Sequence, residues 1–263
     1  MTAAAVSYRA ARDSALIAGR NLRVLRKNPG RMIYPLVQPA VLLVMFVSVF
    51  GNLAVAGHAA GASGTYRQFL IPGLIIENAA LTAPTTGLAL LRDASSGLAD
   101  RFRSLPMARG AVLGGRLASD ALVFAVQAVL LLALAAPLGF RVRSGLAGMA
   151  AITAVSVAFA IGVAVLSAWL ALLINDPETA ERVLYFPAIA LAFISSAFAP
   201  VADLAGWMQP IARANPVTAA AGAIRAIASG GPLAAPLLEL GGWTAALVLV
   251  PGFLAARRWN AAR

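Results

Sequence analysis

The sequence predicts an all-α polytopic membrane protein. Its parts are six transmembrane helices, an N-terminal interfacial helix, a short helix between the second and third spans, and an outer re-entrant hairpin. Three observations predict this class. Of the 263 residues, 60% are hydrophobic and 12% charged, against roughly 45–50% and 25% in soluble domains. Uncharged runs repeatedly reach the roughly 20 residues that cross about 30 Å of hydrocarbon. The 21 basic residues, all arginine except Lys27, fall mostly on alternate connections.

The same composition excludes other classes. Disorder needs low hydrophobicity and high charge. With no cysteine and one histidine, His58, disulfide scaffolds, zinc ribbons, thiol nucleophiles and His-pair metal sites are ruled out. A net charge of +11 would suggest nucleic acid on a soluble domain; here the arginines flank apolar runs, so the bilayer is the expected partner and nucleic acid is not.

Residues 1–31 are read as a cytoplasmic segment with an interfacial helix over residues 8–27. At 100° per residue, Arg9, Arg12, Arg20, Arg23 and Lys27 share one arc, opposite Ile17, Ala18, Leu22, Val24 and Leu25. A basic face against an apolar one suits the headgroup boundary, and an ordinary basic anchor remains the alternative. Asn28, Pro29 and Gly30 break this helix before the first span. Six arginines and one lysine ahead of a long apolar run argue against a signal peptide.

The spans are expected at 32–55, 69–91, 117–138, 146–174, 183–201 and 240–256, with a cytoplasmic tail at 257–263. Glu77 and Asp120 are acidic residues inside them. With the N-terminus inside, 16 basic residues fall on inside segments and 5 outside, namely Arg67, Arg141, Arg143, Arg213 and Arg225. Basic residues are retained in short cytoplasmic loops, so both termini are expected in the cytoplasm.

The inside loop 92–116 allows a short helix from Ser96 to Leu105, stopped by Pro106. Such a helix would be a mechanical contact for a soluble partner; a solvated charged loop is the alternative. The outer segment 202–239 contains a helix-like stretch, Val217 to Ser229, between Pro216 and Gly230. It is too short to span, and with residues 207–212 it suggests a hairpin dipping into the outer leaflet, a surface helix anchored by Trp207 being the competitor.

Nucleotide hydrolysis has no place in this chain. A phosphate-cradling G-x-x-x-x-G-K-[ST] loop needs its lysine, and Lys27 is followed by Asn28. Neither a nucleophile–base pair nor a carboxylate pair suited to intramembrane proteolysis is evident. Glu77, with Asn78 beside it, is set well inside the second span. Ionisable groups at such depth are functional candidates, with a buried structural role as the alternative.

Three stretches carry a resemblance to the membrane-spanning subunits of type-2 ABC exporters, most closely the daunorubicin-resistance branch. Tyr66 to Gly73 resembles the family's start of the second helix. Asp93, Gly97, Asp100, Arg101, Phe102, Arg103, Ser104, Leu105, Pro106, Met107 and Arg109, followed by Gly115, Arg116 and Asp120, are similar to its inter-helix loop. Ser196, Phe198 and Pro200, then Trp207, Gln209 and Ala212, then Asn215, Pro216, Val217, Thr218, Arg225, Gly230 and Gly231 resemble its signature after the fifth span.

The resemblance implies the ABC-2, or type V exporter, fold, with residues 92–116 as the coupling element. It implies a separately encoded ATP-binding-cassette ATPase in two copies and a second permease subunit, the same or related. ATP and magnesium would sit on the ATPase, leaving no cofactor in this chain. The expected role is export of a drug, antibiotic or lipid across a bacterial inner membrane. Asp93, Gly97, Asp100, Arg101, Arg103, Leu105, Pro106 and Arg109 are the expected ATPase-coupling residues, and Arg20, Arg23 and Lys27 the interfacial ones. Glu77, Asn78, Phe198, Pro200, Asn215, Pro216 and Arg225 are the expected translocation-path residues. A proton- or ion-coupled carrier using Glu77 is the rival function, although paired Gly/Pro-interrupted repeats of the kind carriers use are not evident. A scaffold without transport is the third reading.

Overall fold

The computed structural model describes residues 19, 23, 29–50, 66–95, 111–174 and 176–261. Gly19 and Arg23 are helical, with Arg23 exposed. Arg20, Lys27, Gly97, Asp100, Arg101, Arg103, Leu105, Pro106 and Arg109 lie outside the described residues, as does the expected helix over 96–105.

A helix stands at each of the six apolar runs. α1 is Pro29–Phe50, opening on a proline whose missing N–H costs nothing at a first helical position. The second run holds α2, Tyr66–Thr82, and α3, Thr85–Ser95, separated by a turn at Ala83 and Pro84. α4 is Ala111–Ala135, α5 Gly145–Ala171 and α6 Pro177–Phe193. After a 3-10 turn, Val201–Asp203, come α7, Gln209–Arg213, α8, Pro216–Ser229, and α9, Ala234–Ala261. Among the described residues, four stretches are long and apolar enough to cross a membrane: Tyr66–Asp93, Leu113–Ala135, Gly145–Ala171 and Ala234–Leu254. Val37–Val49 is a shorter apolar helix. α6 has 17 residues, about 25 Å at 1.5 Å per residue.

Local chemistry sets several boundaries. The Asp176 carboxylate caps α6 by accepting from the Thr179 N–H at 2.8 Å and its hydroxyl at 2.7 Å, which also holds the carboxyl below its ordinary pKa. Asn215 caps α8 by accepting from the Val217 N–H at 2.8 Å, and Gly230 ends it at φ +70°, where a side chain would be strained.

α5 is the central helix, in contact with α2, α3, α4, α6, α8 and α9. Its buried face carries Gly148, Ala160, Gly162, Ala164 and Ala168 around Phe159 and Ile152; small residues let helix backbones approach closely where lipid supplies no hydrophobic drive. The outer faces of α1, α6 and α9 expose Val41, Val49, Phe186, Phe193, Leu249 and Phe253, as contact with lipid or another subunit requires.

The two ends of the bundle differ. At one, Arg67 donates to the Leu138 carbonyl and Gln68 to that of Gly139, each at 3.2 Å, and the Arg143 N–H donates to the Ala228 carbonyl at 2.9 Å. At the other, Leu88 of α3 packs with Ala180 and Leu184 of α6, beside Leu170 and Ile174. The first end gathers Arg67 and Arg143, which the sequence places outside; the second gathers the ends of α3 and α5 and the start of α6.

Candidate functional site

The fifth apolar run continues to Val201, yet α6 stops at Phe193 and residues 194–200 are not helical. Freed main-chain groups in an apolar bundle need partners, and α8 supplies them. The Asn215 amide donates to the Leu191 carbonyl at 2.7 Å and to that of Ile194. The Thr218 hydroxyl accepts from the Ser196 N–H at 2.9 Å. Arg225 donates from Nη2 to the Ser196 carbonyl at 2.6 Å, from Nη1 to the Ser196 hydroxyl at 3.0 Å, and from Nε to the Phe69 carbonyl at 3.0 Å. Its guanidinium lies 3.7 Å from the centre of the Phe69 ring, a favourable cation–π stack. The Tyr66 hydroxyl donates to the Phe198 carbonyl at 2.6 Å.

α8 is thus an internal element. Val217, Ala220, Ala221, Ala223 and Ile224 are buried against α2, α5 and α9, and the helix runs from the last turn of α6 to the turn at Arg143. Gly73 explains how the unwound segment fits against α2: a Cβ there would lie 2.0 Å from the Ala197 carbonyl oxygen. The Phe198 ring fills the space between α1 and α6, 5.4 Å from Phe46 and 5.3 Å from Phe193. Pro200 precedes the 3-10 turn and Pro216 opens α8.

Glu77 and Asn78 diverge. Glu77 is buried and, four residues on from Gly73, shares the α2 face that meets Ala197. Asn78 lines a crevice with Gln127 of α4 and Ser156 of α5. Of the expected path residues, the structure therefore gathers Phe198, Asn215, Pro216 and Arg225 around one unwound segment, places Glu77 on the neighbouring helix face, and separates Asn78.

A second polar site sits where α2 breaks. The Asp120 carboxylate of α4 accepts from the Thr86 hydroxyl at 2.7 Å and from Arg116 Nε at 2.9 Å through the same oxygen, Oδ2. The Ser167 hydroxyl of α5 donates to the Pro84 carbonyl and accepts from the Gly87 N–H, each at 3.0 Å. α3 leaves this site for Asp93 and residues 96–110.

The chain matches the family described as ABC-2 type transporter over residues 14–228. It belongs to the ABC-2 type transporter family. The daunorubicin resistance ABC transporter permease protein DrrB1 of Streptomyces coeruleorubidus is 30% identical over 230 residues, 88% of this chain and 77% of that protein. The "Probable doxorubicin resistance ABC transporter permease protein DrrC" of Mycobacterium tuberculosis is 34% identical over 221 residues, 83% of this chain and 78% of that one. This ABC-2 protein is therefore a multi-pass membrane permease of the drug-resistance branch. Its stretches Tyr66–Gly73 and Ser196–Arg225, far apart in sequence, are two sides of one hydrogen-bonded junction.

Several residues of this permease escape a reading by composition. Ser167, Thr86 and Thr218 look like ordinary small polar residues of apolar helices. Arg116 and Asp120 give one signal, an i, i+4 spacing that pairs charges on a helix, but the partner on α3 is invisible without the fold.

Proposed function

We propose that this chain is the membrane half of an ATP-driven drug exporter in a bacterial inner membrane, with hydrolysis carried out by a separate ATPase in two copies. Six spans, both termini inside, would be α1, the α2–α3 pair, α4, α5, α6 and α9. α8 would enter and leave the outer leaflet as the re-entrant element. A second permease subunit would complete the path, with Glu77, Phe198 and Asn215 near the route of an amphiphile released outward. ATPase closure would press on Asp93 and residues 96–110, where Arg101, Arg103 and Arg109 supply charges suited to a wet, reversible contact. Arg20, Arg23 and Lys27 would hold the N-terminal helix at the headgroups.

The observation that carries this reading is the likeness over 88% of the chain to a drug-resistance permease. A second one favours it over a proton-coupled carrier: Asp120 and Arg225 are committed to hydrogen bonds that hold helices together, whereas a proton relay needs several buried groups able to exchange protons. Co-purification tests the proposal. The chain should bring down a cassette ATPase encoded beside it, and Arg101→Glu with Arg103→Glu should abolish that association while leaving the permease folded. Retention of the ATPase by the double variant would refute the docking assignment.

A further inference from the structure

Given the exporter reading, the break in the second span takes on a further role. In an unbroken helix the Gly87 N–H would bond to the Ala83 carbonyl. Here the Thr86 N–H takes that carbonyl at 3.1 Å, and Gly87 turns to the Ser167 hydroxyl instead. The contact is close: a Cβ on Gly87 would lie 2.3 Å from both the carbonyl oxygen and the hydroxyl of Ser167. One serine of α5 thus replaces the missing helical bond and holds the joint shut.

The next residue along ties the joint to α4. Thr86 is fully buried and Asp120 nearly so, and the Asp120 oxygen shared by Thr86 and Arg116 joins α3 to α4 at the base of the loop between them. Charge-assisted hydrogen bonds of this kind are short and strong. Thr86, Asp120 and Arg116 each come from a helix that flanks residues 96–110. The Thr86–Asp120 bond is the tie between α3 and the start of α4, while the Arg116 bond lies within α4 and fixes the carboxylate that receives it.

We propose that Asp120 is a positioning residue for energy coupling. Through Thr86, with Arg116 holding its carboxylate from within α4, it makes α3 and α4 move as one when force arrives at residues 96–110, pivoting at Ala83–Pro84 against the Ser167 pin. A buried carboxylate that accepts from the neighbouring helix transmits displacement through a short, charge-assisted bond. Without it, α3 could yield alone and the nucleotide-driven push would be lost before reaching α4.

The test uses the permease with its ATPase in proteoliposomes, with doxorubicin as the probe. ATP hydrolysis and probe movement are measured for Thr86→Val, Asp120→Ala, their double variant and Thr86→Ser. The expected result is hydrolysis unchanged within about twofold, probe moved per ATP lowered about tenfold in both single variants, and wild-type coupling in Thr86→Ser, the size of a typical coupling energy. The double variant should be no worse than the weaker single one, since both remove the same link. An unchanged ratio of transport to hydrolysis overturns the proposal. So does a parallel loss of yield, hydrolysis and transport, which marks a merely structural bond. If the wild-type complex itself moves no probe with ATP, the exporter reading falls first and the latch with it.

Discussion

Arg225 and Ser196, 29 positions apart, are joined by two hydrogen bonds, from Nη2 to the Ser196 carbonyl at 2.6 Å and from Nη1 to the Ser196 hydroxyl at 3.0 Å. An arginine inside an apolar bundle is costly unless its donors are used. Here the guanidinium fork closes the end of one helix from the side of another, and its remaining Nε–H reaches α2. Arg225, expected on the translocation path, uses its donors to fasten an unwound segment.

Replacing Arg225 therefore tests a structural role. Arg225→Met keeps the bulk but orphans the non-helical Ser196 carbonyl, at a cost of about 1–3 kcal/mol, and loses the second donor to the Phe69 carbonyl. Folded yield and apparent melting temperature in detergent should fall sharply, with Arg225→Lys in between because a point charge cannot reproduce the planar fork. A melting temperature equal to wild type for Arg225→Met would contradict the assignment.

Two glycines should respond in opposite directions. At Gly73 the added methyl meets the Ala197 carbonyl at 2.0 Å, so Gly73→Ala should lower stability by about 1–3 kcal/mol. At Gly222, in the middle of α8, an added Cβ meets no atom within 4 Å, so Gly222→Ala should raise stability by about 0.5–1 kcal/mol through helix propensity. Thermal unfolding of both variants checks the pair, and equal shifts would show that close approach at Gly73 is not what matters.

Much of this architecture is legible in the chain and some is not, for identifiable reasons. A helix stands in each apolar run because length and lack of charge are local properties, although the second is broken and the fifth stops at Phe193. The break at Ala83–Pro84 is not readable: Pro72, Pro187 and Pro251 sit inside helices that continue, while Pro84 stands at a gap where Ser167 receives the freed Gly87 N–H and donates to the Pro84 carbonyl. Likewise the stop of α6 at Phe193 depends on Asn215 and Arg225, which sequence pattern marks as notable without revealing what they bind. Composition cannot show that an arginine satisfies carbonyls; only the partners do.

Glu77 is the sharpest remaining case for the carrier alternative. It is buried in α2, four residues on from Gly73, which meets Ala197. Glu77→Gln keeps size and hydrogen-bonding capacity while removing the ionisable group. ATP-driven transport should stay within about twofold of wild type, below the smallest usual coupling effect. A loss of transport with normal yield and normal ATP hydrolysis would make the carboxyl part of the mechanism.

The absence of cysteine from the sequence makes topology directly measurable. A single cysteine at Ser104 should resist a membrane-impermeant maleimide on intact cells and react after permeabilisation, whereas one at Trp207, which is exposed beyond α6, should react without it. Labelling of position 104 from outside would invert the proposed orientation.

The central claim is that the chain moves its substrate on energy received from a partner, and the most direct measurement is doxorubicin accumulation in proteoliposomes under separate driving forces. With the cassette ATPase present and no proton gradient, ATP should drive accumulation, and a proton gradient without the ATPase should drive none. Accumulation driven by the gradient in the permease alone would contradict the account.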